Sequence, residues 1–286
     1  MTKLKEFQDF SVPKYKAEIL EKSKENQEFY QEVARKTAEK FGKDSKAYQT
    51  IMNGIGVENI TGSQFFWNSN LNAHLPIEKR VMTLEDAENI EFANPNFTRG
   101  IYTDTTGLCL RTKIPSWEKN KQILGYLIRQ LKAEKINGAP IDFSSENPII
   151  LSNLELIKDS NLDNFYGIKL KIGDDTKIIY DKRFASGSGK IKLGNVEKNL
   201  YTRKDGLSRV FLAGDSDVSS YGGYLQYSYS DGRVVVVNAV GVAPEILETY
   251  YNKLKENREQ FESKVKGKIS NLNELNKDYF KQIESI

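Results

Sequence analysis

Apolar positions along this 286-residue chain change period several times, and each change predicts a change of secondary structure. From Lys14 to Phe41, the residues Ile19, Leu20, Tyr30, Val33, Ala34, Ala38 and Phe41 fall mostly three or four apart, the spacing of one helix face. Gly42 ends that helix. Asp44 or Ser45 can cap a second one carrying Ala47, Tyr48, Ile51 and Met52, which "NGIG" at 53–56 stops. The stretch "NITGSQFFWNSNLNAHLP" has no clear period, and Phe65, Phe66 and Trp67 are expected to be a plug that a loop drops into the core. Thr83 with Asp86 three residues on predicts a capping-box-like start to a short helix. "FTRGIYTDTTGLCLRTK", from Phe97 to Lys113, reads as a hairpin turning near Asp104–Gly107. Ser116 then caps a helix whose buried stripe is Ile123, Leu124, Leu127, Ile128 and Leu131, closed by Asn137-Gly138.

From Pro148 to Gly241 the pattern becomes that of strands: "PIILSNLELI", "FYGIKLKI", "KIIY", "RVFLA", "YLQYSY" and "RVVVVNAV", separated by Gly, Asp, Asn and Ser. Asp205-Gly206, Asp231-Gly232 and Gly173-Asp174-Asp175 are expected as tight hairpin turns, since these residues tolerate positive φ. After Pro244 the helical period returns. Leu247, Tyr251, Leu254, Phe261, Val265, Leu272, Leu275, Tyr279 and Ile286 follow alternating steps of four and three, a heptad-like seam. Gly267 and the fresh cap at Ser270-Asn271 predict a kink there.

The fold class expected is therefore α+β. It has an N-terminal helical region (1–56), a mixed region with one long helix (57–147, helix 116–136), a mostly antiparallel β-meander (148–242) and a long C-terminal helix (243–286).

Composition narrows the function classes. With 42 basic and 39 acidic residues the net charge is +3, and Lys is interleaved with Glu and Asp, so a dedicated nucleic-acid binder with a basic stripe is disfavoured. One cysteine excludes an internal disulfide and a thiolate-rich zinc site. No stretch approaches 18 uninterrupted apolar residues, and "MTKLKEFQDFSVPKYK" lacks the apolar core of a secretory signal, so a cytoplasmic protein is expected.

Candidate chemistry is sparse. Gly214-Asp215-Ser216 resembles the first motif of the GDS-type hydrolases, a serine just after a strand. That family carries the motif near the start of its domain and an Asp-x-x-His near the end. Here the one histidine, His74, lies upstream, and a serine needs a base within reach to become a nucleophile, so Ser216 is read as a turn residue. Cys109 and His74 could form a thiol–imidazole dyad, but Cys109 in "GLCLRT" reads as a small buried thiol on a strand. Asp215 and Asp217 are candidates for a weak cation site and Asp174-Asp175 for solvated turn acids. "ASGSGK", Ala185 to Lys190, reads as a hairpin tip and not as a phosphate loop, and no cofactor is expected. Tyr221, Tyr224, Tyr227 and Tyr229 read as sheet packing first and as a stacking surface second.

The leading functional expectation is a non-enzymatic interaction or assembly protein, binding a partner or itself through the C-terminal seam. The alternatives are an enzyme, hydrolytic or metal-assisted, around Asp215, Ser216 and Asp217, and a weak nucleic-acid binder using the tyrosines.

Overall fold

The structure, a computed structural model, describes residues 16–94, 97–111, 119–136, 139–141, 146–185, 187–194, 196–203, 205–214, 217–238 and 265. The chain divides into two compact units, Met1–Ala239 and Val240–Ile286. In the second unit the described residue is Val265, helical and exposed; the rest of the expected C-terminal seam (Leu247, Tyr251, Leu254, Phe261, Leu272, Leu275, Tyr279 and Ile286) lies outside the described residues.

In the first unit the order is β1 (Ala17–Ile19), α1 (Lys24–Phe41), α2 (Lys46–Met52), α3 (Phe65–Asn72), β2 (Lys79–Val81), α4 (Leu84–Ala93), β3 (Thr103–Leu110) and α5 (Lys121–Leu131). The chain then runs almost entirely in strands. These are β4 (Lys135–Ile136), β5 (Ala139–Pro140), β6 (Ile149–Ser152), β7 (Glu155–Lys158), β8 (Ile168–Lys171), β9 (Lys177–Tyr180), β10 (Gly189–Leu193), β11 (Val196–Thr202), β12 (Leu207–Leu212), β13 (Val218–Ser220) and β14 (Val235–Asn238). This is mixed helix and sheet, antiparallel-rich in its second half.

The helix ends follow local side-chain chemistry. Ser23 accepts from the Asn26 amide and Ser45 from the Tyr48 amide, each satisfying a donor that the first turn leaves free. Thr83 and Asp86 complete a reciprocal capping box. The first helix accordingly starts at Lys24, not Lys14. Ile19 and Leu20 are not on its face, because Ala17–Ile19 pair with Val235–Val237 of β14 in a three-stranded sheet ordered β1-β14-β2. A run of four valines buried on both sides needs a strand partner along each edge, and β1 and β2 supply them.

The main sheet has seven strands in the order β10-β11-β13-β12-β3-β6-β9, with β11 and β13 its one parallel pair among the described residues. It is not a meander. β3, from the first half of the chain, lies between β12 and β6, and the expected hairpin at Asp104–Gly107 is instead the interior of that strand. An irregularity opposite Val210 absorbs the extra residues: Thr105 Oγ1 donates to the Val210 carbonyl at 2.7 Å and accepts from the Gly107 amide at 3.0 Å.

The three expected hairpin turns join strands that do not pair with each other. β13 is wedged between the strands on either side of Asp205-Gly206. β8 and β9, flanking Gly173-Asp174-Asp175, pair with β7 and β6. Asp231-Gly232 leads from a single bridge, Ser63 to Tyr229, into β14 of the other sheet. A tight hairpin does form at β10–β11, where Leu193 pairs with Val196 and Gly194 adopts φ 59°. A side chain at Gly194 would also place its Cβ 2.6 Å from the Phe92 amide nitrogen, so only glycine allows α4 this close.

The sheet curls. Residues 181–188, partly wound as a 3-10 helix at Lys182–Phe184, can reach about 25 Å, whereas seven flat strands would separate β9 from β10 by about 29 Å. Ile150 of β6 and Ile191 of β10 accordingly share one hydrophobic cluster, with α4 packed into it. On the opposite face Leu108, Leu110, Ile149, Leu151 and Leu207 meet residues of α1, α2, α3 and α5. Within that layer, Phe65-Phe66-Trp67 belong to α3, a helix buried on every side, and not to a loop.

A tyrosine-rimmed pocket at the end of the sheet

The parallel pair determines where the pocket lies. β11 and β13 end at the same edge of the sheet, at Thr202 and Ser220, and both connections leave from there. Arg203 and Asp205 follow β11, residues 221–224 follow β13, and Gly187-Ser188 precede β10. Between them is an open cavity of about 800 Å³ lined by Lys119, Ser188, Thr202, Arg203, Asp205, Tyr221 and Tyr224, with Gly187, Gly222 and Gly223 among the rest of its wall.

Its rim is aromatic and its floor cationic. Tyr221 and Tyr224 are 65% and 43% exposed. The Lys119 ammonium stands 4.0 Å from the Tyr224 ring centre and 5.6 Å from that of Phe165, and it also meets the Tyr224 hydroxyl. Asn120 fixes this corner. Its Nδ2 donates to the Leu207 carbonyl at 3.0 Å and the Gly223 carbonyl at 2.8 Å, while its Oδ1 accepts from the Tyr166 hydroxyl at 2.8 Å. At the floor, Arg203 Nη1 donates to the Leu207 carbonyl at 3.3 Å and Nη2 to Asp205 Oδ1 at 3.4 Å. A Cβ on Gly223 would lie 2.5 Å from Arg203 Nη1, so the guanidinium occupies space that a side chain there would need. Ser188 Oγ accepts from the Thr202 amide at 3.3 Å, which ties the Gly-Ser segment to β11.

Behind Thr202 sits Arg111, fully buried. Its Nη2 donates to Thr202 Oγ1 and its Nη1 to Ser208 Oγ at 3.1 Å, while its Nε has no partner. Burial pulls its pKa below the usual guanidinium value, and neighbouring Arg203 adds to that pull.

A second cationic group lies beneath the tyrosines that follow the pocket. Arg209 contacts both the Asp104 carboxylate and the Tyr102 hydroxyl inside the sheet, and its guanidinium carbon lies 4.3 Å from the Phe211 ring centre and 5.5 Å from that of Tyr227. Burial opposes the Arg209 charge, but the Asp104 carboxylate and Tyr102 hold its pKa above the usual range.

The chain matches no known family: models of protein families, curated proteins and solved structures all give no match.

The residues singled out from sequence fall mostly elsewhere. Asp215 and Ser216 lie outside the described residues. Asp217 accepts from the Asn199 amide at 3.0 Å and from Asn199 Nδ2 at 3.2 Å, and so ties the entry of β13 to β11. Among the described residues no three of His, Cys, Asp and Glu gather as a metal-binding group. Cys109 is buried in β3, and desolvation pushes its thiol up to about 11; the polar side chains that act on it are Arg111, Ser220 and Asp181. The four tyrosines correct the packing expectation. Residues 221–229 form no strand, Leu225 alone of that stretch is fully buried, and all four rings are exposed. "ASGSGK" is no hairpin tip either, since β9 and β10 lie at opposite edges of the sheet and its Gly187-Ser188 line the pocket. The sequence pattern does not single out Arg111, Thr202 or Arg203: Arg111 and Arg203 each stand one residue beyond the end of a strand, β3 and β11.

His74, half-buried after α3, has its pKa lowered from 6.5 by burial first and by Lys36 and Lys40 next. A lowered folded-state value means the unfolded chain binds the proton more readily, so this contribution to stability is complete above about pH 6.5 and is lost as the pH falls through the lowered value. The chain's one imidazole signal in proton NMR should titrate with a midpoint below 6.5, and His74→Gln should flatten the stability loss over that window. A midpoint at or above 6.5 contradicts the burial.

Proposed function

We propose that this protein binds a small ligand carrying a flat ring in the pocket at the end of the sheet. The observation that carries this reading is the exposure of Tyr221 and Tyr224 on the rim of an 800 Å³ cavity whose floor holds Arg203 and whose side holds Lys119. That volume lies within the range of small-molecule sites, about 300–1,000 Å³. Exposed rings cost apolar hydration, and a ring stacked on them recovers it. Stacking of a base on an aromatic side chain contributes about 1–3 kcal/mol.

Adenosine, a ring without charge, is the simplest probe. The expected result is saturable binding in tyrosine fluorescence or NMR titration, weakened about tenfold or more in Tyr221→Ala/Tyr224→Ala. Unchanged affinity in that variant, or no binding by the wild-type protein at millimolar adenosine, refutes the reading.

A further inference from the structure

We propose that the pocket is one station on a longer surface path for single-stranded nucleic acid, with bases stacked on Phe165, Tyr221, Tyr224 and Tyr227 and with Lys46 and Lys119 meeting the phosphates. The proposal rests on the pocket reading above and says what the ring is attached to.

The exposed rings do not stop at the pocket. Phe165, Tyr227 and Tyr229 are exposed as well, although none of the three lines the cavity. The Phe165 ring centre lies 6.5 Å from that of Tyr224, and the ring stands edge-on to buried Tyr166 at 4.9 Å. Tyr227 follows Tyr224 through a turn, in which its amide donates to the Tyr224 carbonyl at 3.3 Å, and its ring centre is 5.5 Å from that of Tyr229. The pocket wall and Tyr227 also meet beneath the surface: a Cβ on Gly222 would lie 3.5 Å from the Nε of Arg209, the guanidinium over which Tyr227 lies. The five rings therefore form one set of neighbours, and exposed apolar groups gathered in this way mark a contact surface.

Positive charge stands among the rings. Lys46 Nζ is 5.4 Å from the Phe165 ring centre, and Lys119 Nζ is 5.6 Å from it and 4.0 Å from that of Tyr224. The acid of the pocket lining, Asp205, is in contact with Arg203. Flat faces interspersed with ammonium groups match a strand that alternates bases with phosphates, and stacking accepts every base because each has a π-face. The near-balanced charge of the chain fits a strand held by stacking with few phosphate contacts, and not by a basic stripe.

The experiment measures, on the full chain, the affinities of adenosine, a single-stranded deoxyadenylate dodecamer, an abasic strand of the same length, and heparin. The dodecamer is expected to bind about tenfold or more tightly than adenosine and than the abasic strand. Two phosphate contacts predict a slope of about −1.4 for log affinity against log salt, and Lys46→Gln should halve it. Phe165→Ala should weaken the dodecamer about tenfold and leave adenosine affinity in place; Lys46→Gln, an exposed position outside the cavity, serves if that variant does not fold. A dodecamer that binds no more tightly than adenosine overturns the path and leaves the pocket reading standing. An abasic strand that binds as well as the dodecamer overturns base stacking. Heparin binding more tightly than the dodecamer overturns the strand in favour of an anionic glycan. Wild-type protein that self-associates in light scattering, and ceases to in Phe165→Ala, overturns it in favour of a second copy of the chain. Failure of adenosine and the dodecamer alike sinks the pocket reading, and the path with it.

Discussion

Asp104→Ala is expected to lower the stability of the first unit by about 3–5 kcal/mol, the largest single-residue effect anticipated for a polar position. Asp104 and Arg209 are 0% and 2% exposed and in direct contact in the interior of the main sheet, on adjacent strands β3 and β12. Removing the carboxylate leaves a guanidinium whose remaining partners are the Tyr102 hydroxyl and the faces of Phe211 and Tyr227, none of which carries a compensating charge. Water cannot reach it without opening the sheet. The loss is that of stranding a charge, not the net contribution of the pair, and a second variant separates the two. Asp104→Leu/Arg209→Met, which removes both charges at similar volume, should recover most of the stability, since a buried pair often does no better than apolar residues in its place. Urea denaturation followed by far-UV circular dichroism measures all three proteins. A single-variant loss below about 1 kcal/mol means the pair is solvated, and a double variant as unstable as the single means the loss is not that of a stranded charge.

Local rules written in the chain were legible, and long-range ones were not. Ser45, Gly42 and the Thr83–Asp86 box act within one helical turn, and each does in the structure what its spacing predicts. The alternation of Leu108, Cys109 and Leu110, and of Ile149, Ile150 and Leu151, also holds, with each pair of neighbours entering different clusters. What the alternation cannot say is which strand lies beside which. "DTTG" has the composition of a turn, yet β12 pairs with it at Asp104 and β6 at Gly107, and the two ladders hold its ends extended. Asp205-Gly206 is a turn, with Gly206 at φ 69°, but it spans the width of an intervening strand instead of closing a hairpin. The pocket was illegible for the same reason: Ser188, Thr202 and Tyr221 come from three segments that converge only because β13 inserts parallel to β11. No period in one segment records an insertion made by another.

The same limit makes two aromatic runs look alike in sequence and behave oppositely in a mutational test. "FFW" at 65–67 and "YLQYSY" at 224–229 both read as packing residues. In the structure Phe66 is fully buried on α3, with its ring centre 5.1 Å from that of Tyr166, while Tyr227 is 51% exposed. A helix buried on all sides is held where its amide side chains find partners, and those of Asn68 and Asn70 in α3 donate to neighbours, although Trp67 Nε1 and Ser69 Oγ have none. Asn68 Nδ2 donates to the Asp104 carbonyl at 2.7 Å and Asn70 Nδ2 to Thr37 Oγ1 at 2.8 Å. Gln64, capping the helix, donates to the carbonyls of Thr50 and Ile51, each at 2.8 Å. These bonds fix α3 between α1, α2 and the sheet, so the wall around Phe66 has little freedom to collapse into a vacancy. Phe66→Ala should therefore lie at the costly end for core truncations, about 3–5 kcal/mol, whereas Tyr227→Ala, which removes a half-exposed ring lying over Arg209, should cost about 1 kcal/mol. Chemical denaturation of the two variants side by side decides the matter. Comparable losses, or a larger one for Tyr227, show that α3 is not the centre of the core and that the tyrosine stretch is packed after all.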